Sequence, residues 1–300
     1  MNINRNPPGG RRQPSRGPGE SPESIPAGTG AYGGIGAVIL ITLLLVLVSV
    51  LALSKNPGRT LWYFFLGPFG NLYAFGNMLN SAIPLVFGGL GVSVAMRANS
   101  FNLGGEGQVY AGAFAATLGA LALRPLGFAG ALAGLVAGAV VAGLAGALPG
   151  FFRAKWNTSE LITSFLISNI LILVVDYLVT GPFLDPATNL LSTRKLDEGF
   201  RLPLILPPSN LSAALFIALA ASLLTGIFLS RTRAGYEIRM TGSNELFARY
   251  GGINTGRVTI LAMFLSGALY GLGGGVAVYG TYYATVKGFS AGMGWNGLAV

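Results

Sequence analysis

The sequence contains neither cysteine nor histidine, and only 10% of its 300 residues are charged. Without cysteine there is no disulfide, thiolate nucleophile or cysteine-ligated metal, and without histidine the commonest general base and metal ligand is missing. We therefore expect no catalytic residues, no metal site and no cofactor. The shortage of charge also argues against an ordinary soluble domain, in which about 25% of residues are charged.

Long apolar runs are what the chain has instead, since 52% of its residues are hydrophobic. A charged side chain at the centre of a membrane-spanning helix costs about 2.5–3.5 kcal/mol, so charge-free runs of this length are typical of chains that cross a bilayer. The pattern predicts an all-α polytopic membrane protein, a multi-helix transmembrane bundle. Its spans are expected at 35–53, 76–96, 105–123, 127–150, 161–180, 211–230 and 258–279.

The two ends of the chain differ from its middle. Residues 1–34 are rich in Pro, Gly, Ser and Arg, and we expect a disordered cytoplasmic tail ahead of a transmembrane domain at 35–300. The run at 35–53 has no small-residue cleavage pattern after it, which favours a retained helix over a cleaved signal peptide. The sequence stops inside an apolar stretch, 289–300, so we expect further C-terminal helices to be missing or to belong to a separate piece.

Glycine is abundant, and small residues recur every four positions in the fourth predicted span. Small residues let membrane helices approach closely, because lipid supplies no hydrophobic drive for their association. This spacing predicts a tightly packed internal helix. The residues concerned are Gly134, Gly138, Ala142, Gly146 and Gly150.

The net charge of +9 is explained by membrane topology rather than by nucleic acid. If the tail is cytoplasmic, twelve of the 19 Lys and Arg residues fall inside and seven outside, as the positive-inside rule favours. A nucleic-acid interface needs a basic face with aromatics on a soluble domain, which this sequence does not predict. We therefore expect a lipid bilayer and no nucleic acid as the partner of these charges.

The first polar constellation follows the second predicted span and contains Phe101, Asn102, Glu106 and Gln108 among several glycines. Polar groups at this depth are costly unless they face protein or a water-filled path, and broken helices of this kind build solute sites in transporters. Asn102 is either a helix cap or a solute contact, and Glu106 either complements the helix dipole or lines the path. Gln108 could equally bond a neighbouring helix.

The second constellation opens the fifth predicted span. Ser159 or Thr158 can cap a helix with Glu160 in its first turn. Asn169 falls within the apolar part of the same span. It either joins helices by hydrogen bonds or lines the solute path.

The third constellation lies in an internal segment, 231–257, that is polar yet patterned. Asn244 can cap a short helix from Glu245 to Tyr250 that ends at Gly251. Exposed apolar side chains on such a helix mark a docking site more often than they occur there by chance. A solvated basic loop is the alternative.

These three stretches, in this order, resemble the permease subunits of bacterial ABC importers for ribose, galactose, nucleosides and branched-chain amino acids. The nucleoside and simple-sugar branch is most similar, because its Phe-Asn-Ile-Gly-x-Glu-Gly-Gln element matches residues 101–108 and its cytoplasmic Gly-x-x-x-Arg-x-x-Gly-x-Asn pattern matches the segment from Gly235 onward. Two departures are Ser159, where the family usually has Asn, and Phe247, where it usually has Ala.

The resemblance implies a permease subunit that is not itself an enzyme, and the chain has no Gly-x-x-x-x-Gly-Lys-Ser/Thr motif for nucleotide phosphates. It implies a cytoplasmic ATP-binding subunit, a second permease chain in a homo- or heterodimer, and an extracytoplasmic solute-binding protein. The bacterial plasma membrane is the implied location, and a nucleoside or simple sugar is the implied solute. The residues implied in ATPase coupling are Gly235, Arg239, Gly242, Asn244, Leu246, Phe247, Ala248, Tyr250, Gly252 and Ile253.

A weak internal repeat, which we call the internal echo, relates Phe101-x-x-Gly104 to Phe289-x-x-Gly292. Inverted repeats in transporters place two broken or re-entrant segments around one site, so Phe289, Trp295 and Asn296 become further path candidates. An ion-coupled secondary carrier or channel is the rival function, which the low number of intramembrane carboxylates disfavours. A membrane-embedded enzyme is a third hypothesis, disfavoured by the missing Cys and His.

Overall fold

The computed structural model describes residues 30–300, so most of the predicted tail, 1–29, lies outside the described residues. The chain divides into two compact units, of which the first ends at Phe65. In that unit, α1 (Gly30–Leu53) contains the first predicted span, and α2 (Pro57–Phe65) is a short helix that was not predicted. The Ser54 and Thr60 hydroxyls, 2.7 Å apart, join the two helices.

The second unit, from Leu66 onward, is also helical. Among the described residues, six helices are long and apolar enough to cross a membrane, namely α1, α3, α5, α6, α7 and α10, which confirms the predicted all-α polytopic membrane fold. The helices of the second unit are α3 (Leu72–Arg97), α4 (Gly105–Ala122), α5 (Phe128–Trp156), α6 (Glu160–Thr180), α7 (Ala214–Arg231), α8 (Arg233–Ser243), α9 (Glu245–Tyr250), α10 (Thr255–Ala277) and α11 (Met293–Asn296).

The helix α4 is the centre of this unit and is outside the set of six. It packs against α5, α10 and α6, and most of its residues are buried. One end lies beside the loop that Arg153 contacts, and the other leads to Arg124, which pairs with Asp197. We call these ends of the unit the Arg153 end and the Asp197 end. At about 1.5 Å per residue, the 18 residues of α4 cover about 27 Å between them.

Close backbone contact explains the glycine spacing of α5. A Cβ atom on Gly138 would collide with the Gly112 carbonyl of α4, and one on Gly146 would lie 2.5 Å from the Met263 carbonyl of α10. The small residues thus let three helices pack backbone to backbone, as the spacing predicted. Within the second unit, α5 packs between α4 and α10.

After α10 the chain turns back into the bundle. The helix ends in a π-turn at Val278–Tyr282, near the Asp197 end, where the Leu196 N–H donates to the Tyr283 carbonyl. Residues 285–297 then run antiparallel to α4. The Thr285 and Thr117 hydroxyls lie 2.8 Å apart, and the Gly288 N–H donates to the Tyr110 hydroxyl. This re-entrant segment ends at α11, beside the start of α4.

Candidate functional site

Asn102 is buried at the start of α4, where its amide joins two elements. Its Nδ2 donates to Gln108 Oε1 at 2.8 Å and to Ser266 Oγ of α10 at 2.9 Å. Its Oδ1 accepts the Gly104 N–H at 2.9 Å, and Gly104 is the residue that precedes the helix. The amide therefore fixes the break between α3 and α4 against α10. Contact with a solute stays a prediction for Asn102 and Gln108.

Glu106 is the second polar residue of the break and holds the re-entrant segment in place. Its side chain is buried, and its two carboxylate oxygens accept the N–H groups of Gly292 at 2.9 Å and Gly294 at 2.8 Å. Charge-assisted bonds of this kind are stronger than neutral ones. Of the alternatives open in the sequence, the geometry matches a structural role. The dipole interaction predicted for this residue is compatible with its place in the first turn of α4.

The two segments of the predicted internal echo therefore meet. Phe289 is buried between the rings of Tyr110 and Tyr282, with centroids 5.6 and 5.2 Å away. Trp295 packs on Phe165 of α6 at 5.7 Å. An inverted repeat stays a prediction, but Glu106 directly joins the segment after Phe101 to the segment after Phe289.

Two predicted path residues face outward instead. Phe101 is exposed near the Arg153 end, and its N–H points to Glu160. Asn169 is exposed on α6, and its Nδ2 donates to the Phe165 carbonyl one turn earlier. That intrahelical bond joins no second helix, and contact with the solute path stays a prediction for Asn169 and Phe101.

Asn296 belongs to a cleft of about 420 Å³ that is lined by α3, α10 with its π-turn, α11 and the first residue of α7. The sequence reasoning missed the other polar residues of this cleft, Asn80, Ser81 and Thr281. They are far apart in sequence, and no local motif marks them. The proline inside α3, Pro84, was the available signal.

An ion pair closes the Arg153 end. Arg153 Nη1 contacts Glu160 Oε1 at 2.6 Å, the Asn99 carbonyl at 2.8 Å and the Ser100 hydroxyl at 3.0 Å. The capping prediction for Ser159 is wrong in its detail, because Ser159 occupies the N-cap position but its side chain accepts no capping bond. Glu160, in the first turn of α6, binds Arg153, so α5, α6 and the loop before α4 are joined by one guanidinium.

Near this end, α8 and α9 form the polar segment that the sequence singled out. The predicted short helix is present as α9, with the Asn244 side chain accepting the Phe247 N–H at 3.0 Å and Gly251 at the C-cap. Leu246, Phe247 and Tyr250 are 67%, 62% and 91% exposed. Between α7 and α9, residues 233–243 form a second helix that was not predicted, α8, which is capped by Thr232.

The segment is anchored to the membrane-spanning helices at several points. Ala248 is 1% exposed, and its carbonyl accepts the Ile253 N–H. A Cβ on Gly242 would collide with the Arg97 carbonyl at the end of α3, and one on Gly235 would meet the Phe228 carbonyl of α7. The Arg239 side chain lines a pocket with Arg97 and Ser230, and Gly252 has a left-handed φ of +81° that ends α9 without strain. Gly235 and Gly242 are thus close-packing positions, whereas Gly252 has open space around its Cβ position.

Comparison with known proteins assigns the chain to a family. Residues 74–300 match the family described as branched-chain amino acid transport system / permease component. No solved structure matches the chain.

Three curated proteins show the range of relatives. The probable riboflavin import permease of Treponema pallidum is 36% identical over 88% of this chain and 70% of its own length. The glucose ABC transporter permease of Haloferax volcanii is 31% identical over 90% of this chain and 74% of its own. The guanosine ABC transporter permease of Bacillus subtilis is 30% identical over 78% of this chain and 68% of its own. With its family match and these membrane-spanning helices, the chain belongs to the permease family of ABC transporters that the resemblance indicated.

Proposed function

We propose that this chain is the translocating permease subunit of an ABC importer for an uncharged, hydroxyl-bearing solute, a nucleoside or a simple sugar. The relatives named for guanosine, glucose and riboflavin support that solute class, because all three compounds carry several hydroxyl groups. The distribution of Lys and Arg supports a cytoplasmic N terminus in a bacterial plasma membrane. In this orientation the Arg153 end is cytoplasmic and the Asp197 end external.

The apolar surface of α9 carries the proposal. Leu246, Phe247 and Tyr250 are largely exposed on a six-residue helix whose other side is anchored by Ala248. Covering such side chains with a partner removes apolar surface from water and so stabilises the complex. The partner we assign is a cytoplasmic ATP-binding subunit, which hydrolyses the ATP that this chain has no motif to bind.

The anchors give the α9 surface a mechanical connection to the solute path. Gly242 of α8 packs against the end of α3, next to Asn99, and Arg153 bonds the Asn99 carbonyl. Three residues further on, Asn102 begins the buried network at the start of α4. A movement of α8 and α9 driven by the ATPase therefore acts directly on the break between α3 and α4.

Two further partners complete the proposed importer. A second permease chain, identical or different, forms a central path with this one. An extracytoplasmic solute-binding protein docks on the external segment 181–213, which is held against the re-entrant segment by hydrogen bonds from Thr193 to Thr285 and from Lys287 to Leu191. A displacement of this external segment therefore reaches the solute path from the other side.

Copurification tests the docking assignment. A chain with Phe247→Asp and Tyr250→Asp, coexpressed with its ATPase, is expected to insert and to lose the ATPase, because a charge on each exposed ring removes the apolar contact. The control places the same charges on exposed leucines of the external segment, Leu190→Asp and Leu204→Asp, and should retain the ATPase. Retention by the α9 variant would refute the assignment.

The rival function, an ion-coupled carrier, needs carboxylates that are free to bind and release an ion. In the described structure, the carboxylates of α4 and α6 are all held by hydrogen bonds or an ion pair. Glu106 binds two N–H groups, Asp176 accepts the Tyr110 hydroxyl at 2.7 Å, and Glu160 pairs with Arg153. Uptake that continues without an ATPase and collapses with an ionophore would favour the carrier.

A further inference from the structure

The cleft that contains Asn296 has the size and chemistry of a small-molecule site. Its volume of about 420 Å³ lies within the range of about 300–1,000 Å³ that ligand pockets occupy. Its polar side chains are all uncharged, and its aromatic residue is Tyr282. They come from three separate elements, α3, the π-turn and α11, and comprise Asn80, Ser81, Thr281 and Asn296.

The backbone is irregular on two walls of this cleft. In an α-helix each carbonyl accepts the N–H of the residue four positions later. Pro84 has no N–H, so the Asn80 carbonyl in α3 lacks this donor. On the facing wall, α10 ends in the π-turn Val278–Tyr282, and turns of this kind are frequent at functional sites. Irregular backbone at membrane depth is tolerated where it is buried in protein or lines a water-filled cavity. Two such irregularities at one cleft indicate a cavity of that kind.

The depth of the cleft supports the same conclusion. Asn80 lies eight residues after the start of α3, about 12 Å along the helix from the Asp197 end. Its Nδ2 donates to Thr281 Oγ1 at 3.2 Å, while Ser81 and Asn296 are exposed. Exposed amides and hydroxyls inside a membrane-spanning bundle face water, a solute or another chain rather than lipid.

We infer that this cleft is a solute-contact site, and that Asn80, Ser81 and Asn296 bind the hydroxyls of an uncharged solute, with Tyr282 available to pack on a ring. The inference rests on the proposed function and gives it a location. Because no charged side chain lines the cleft, an ionic solute such as an amino acid would find neither of its charges paired. Hydroxyl groups, in contrast, match amide and carbonyl partners.

The absence of cysteine from the sequence allows a direct test. Ser81→Cys replaces one oxygen by sulfur and places a single thiol in the cleft. Ala187→Cys, on the exposed external segment, is the matched control outside the cleft. The chain is assembled with its ATPase and solute-binding protein in proteoliposomes, and labelling by a membrane-impermeant maleimide is timed with and without guanosine, glucose, riboflavin or leucine.

We expect at least one of the three hydroxyl-bearing probes to slow labelling of Ser81→Cys about tenfold, with leucine and the Ala187→Cys control unaffected. Uptake is measured in parallel, and Asn296→Leu is expected to raise the apparent KM for the same probe about tenfold, the effect of one lost hydrogen bond. ATP-driven uptake of a hydroxyl-bearing probe by the unmodified complex without protection at Ser81→Cys, or an unchanged KM in Asn296→Leu, overturns the cleft assignment and leaves the proposed function standing. If the unmodified complex takes up none of the three hydroxyl-bearing probes, the proposed function falls with it.

Discussion

Glu106 and Gly294, separated by 188 positions in the sequence, are joined by a hydrogen bond of 2.8 Å from the Gly294 N–H to the Glu106 carboxylate. The Gly292 N–H binds the other carboxylate oxygen at 2.9 Å. One acidic side chain thereby connects the first turn of the central helix to the tip of the re-entrant segment. The position of that tip in the bundle depends on these two bonds.

Replacing Glu106 by Gln should loosen this connection. An amide offers one oxygen acceptor where the carboxylate offers two, so one glycine N–H would face an NH₂ donor. Leaving a buried donor unpaired costs about 1–3 kcal/mol. We expect a lower melting temperature in detergent, followed by Trp295 fluorescence in a background with Trp62→Phe and Trp156→Phe. An unchanged transition would show that the two bonds contribute nothing.

The contact between α4 and α10 should tolerate no added methyl group. A Cβ on Gly112 would collide with the Gly271 backbone, so Gly112→Ala is expected to destabilise the bundle by about 1–3 kcal/mol. Gly226→Ala in α7 is the matched control, because nothing lies within 4 Å of its Cβ position and alanine favours a helix. Size-exclusion recovery after heating should fall for the first variant and stay equal or rise for the second.

The cap of α9 can be tested apart from its apolar surface. Asn244→Ala removes the acceptor of the Phe247 N–H and should destabilise the helix by about 1 kcal/mol. Hydrogen exchange at residues 245–250 is expected to accelerate about fivefold, with weaker binding of the ATPase. Asn244→Asp keeps an acceptor and should behave like the unmodified chain. Equal exchange in all three proteins would contradict the capping role.

Arg153 and Glu160 should be energetically coupled. Their side chains are only 22% and 14% exposed, so the pair is poorly screened by water. A double-mutant cycle with Arg153→Met and Glu160→Gln is expected to give a coupling free energy of about 0.5–3 kcal/mol in thermal denaturation. Additive effects of the two substitutions would show that the pair does not join the ends of α5 and α6.

Local signals were enough to predict some elements of the structure. The bounds of α9 follow from Asn244 and Gly251, because a cap acts on residues within one turn. The internal position of α5 follows from its repeating small residues. Six of the seven predicted spans follow from hydropathy, which reports the cost of placing charge in lipid, and the seventh, 105–123, is the helix α4 outside that set.

Other features depend on contacts that no local pattern records. The partners of Glu106 are 186 and 188 residues away, and the helix α8 has a polar composition that resembles a loop. The polar side chains of the cleft around Asn80 come from three distant elements, and only Pro84 hints at the cleft in the sequence. The sequence left Asn169 open between joining helices and lining the path, and its bond to Phe165 shows that an amide can also donate within its own helix.

ATP-driven uptake in proteoliposomes tests the central claim most directly. Complexes of the chain with its ATPase and solute-binding protein, carrying either the unmodified sequence or Phe247→Asp with Tyr250→Asp, are supplied with internal ATP and external tritiated guanosine, glucose or riboflavin. The account predicts uptake by the unmodified complex that requires ATP and resists ionophores, and its loss in the variant. Uptake at the full rate without the ATPase, or undiminished in the variant, would contradict the account.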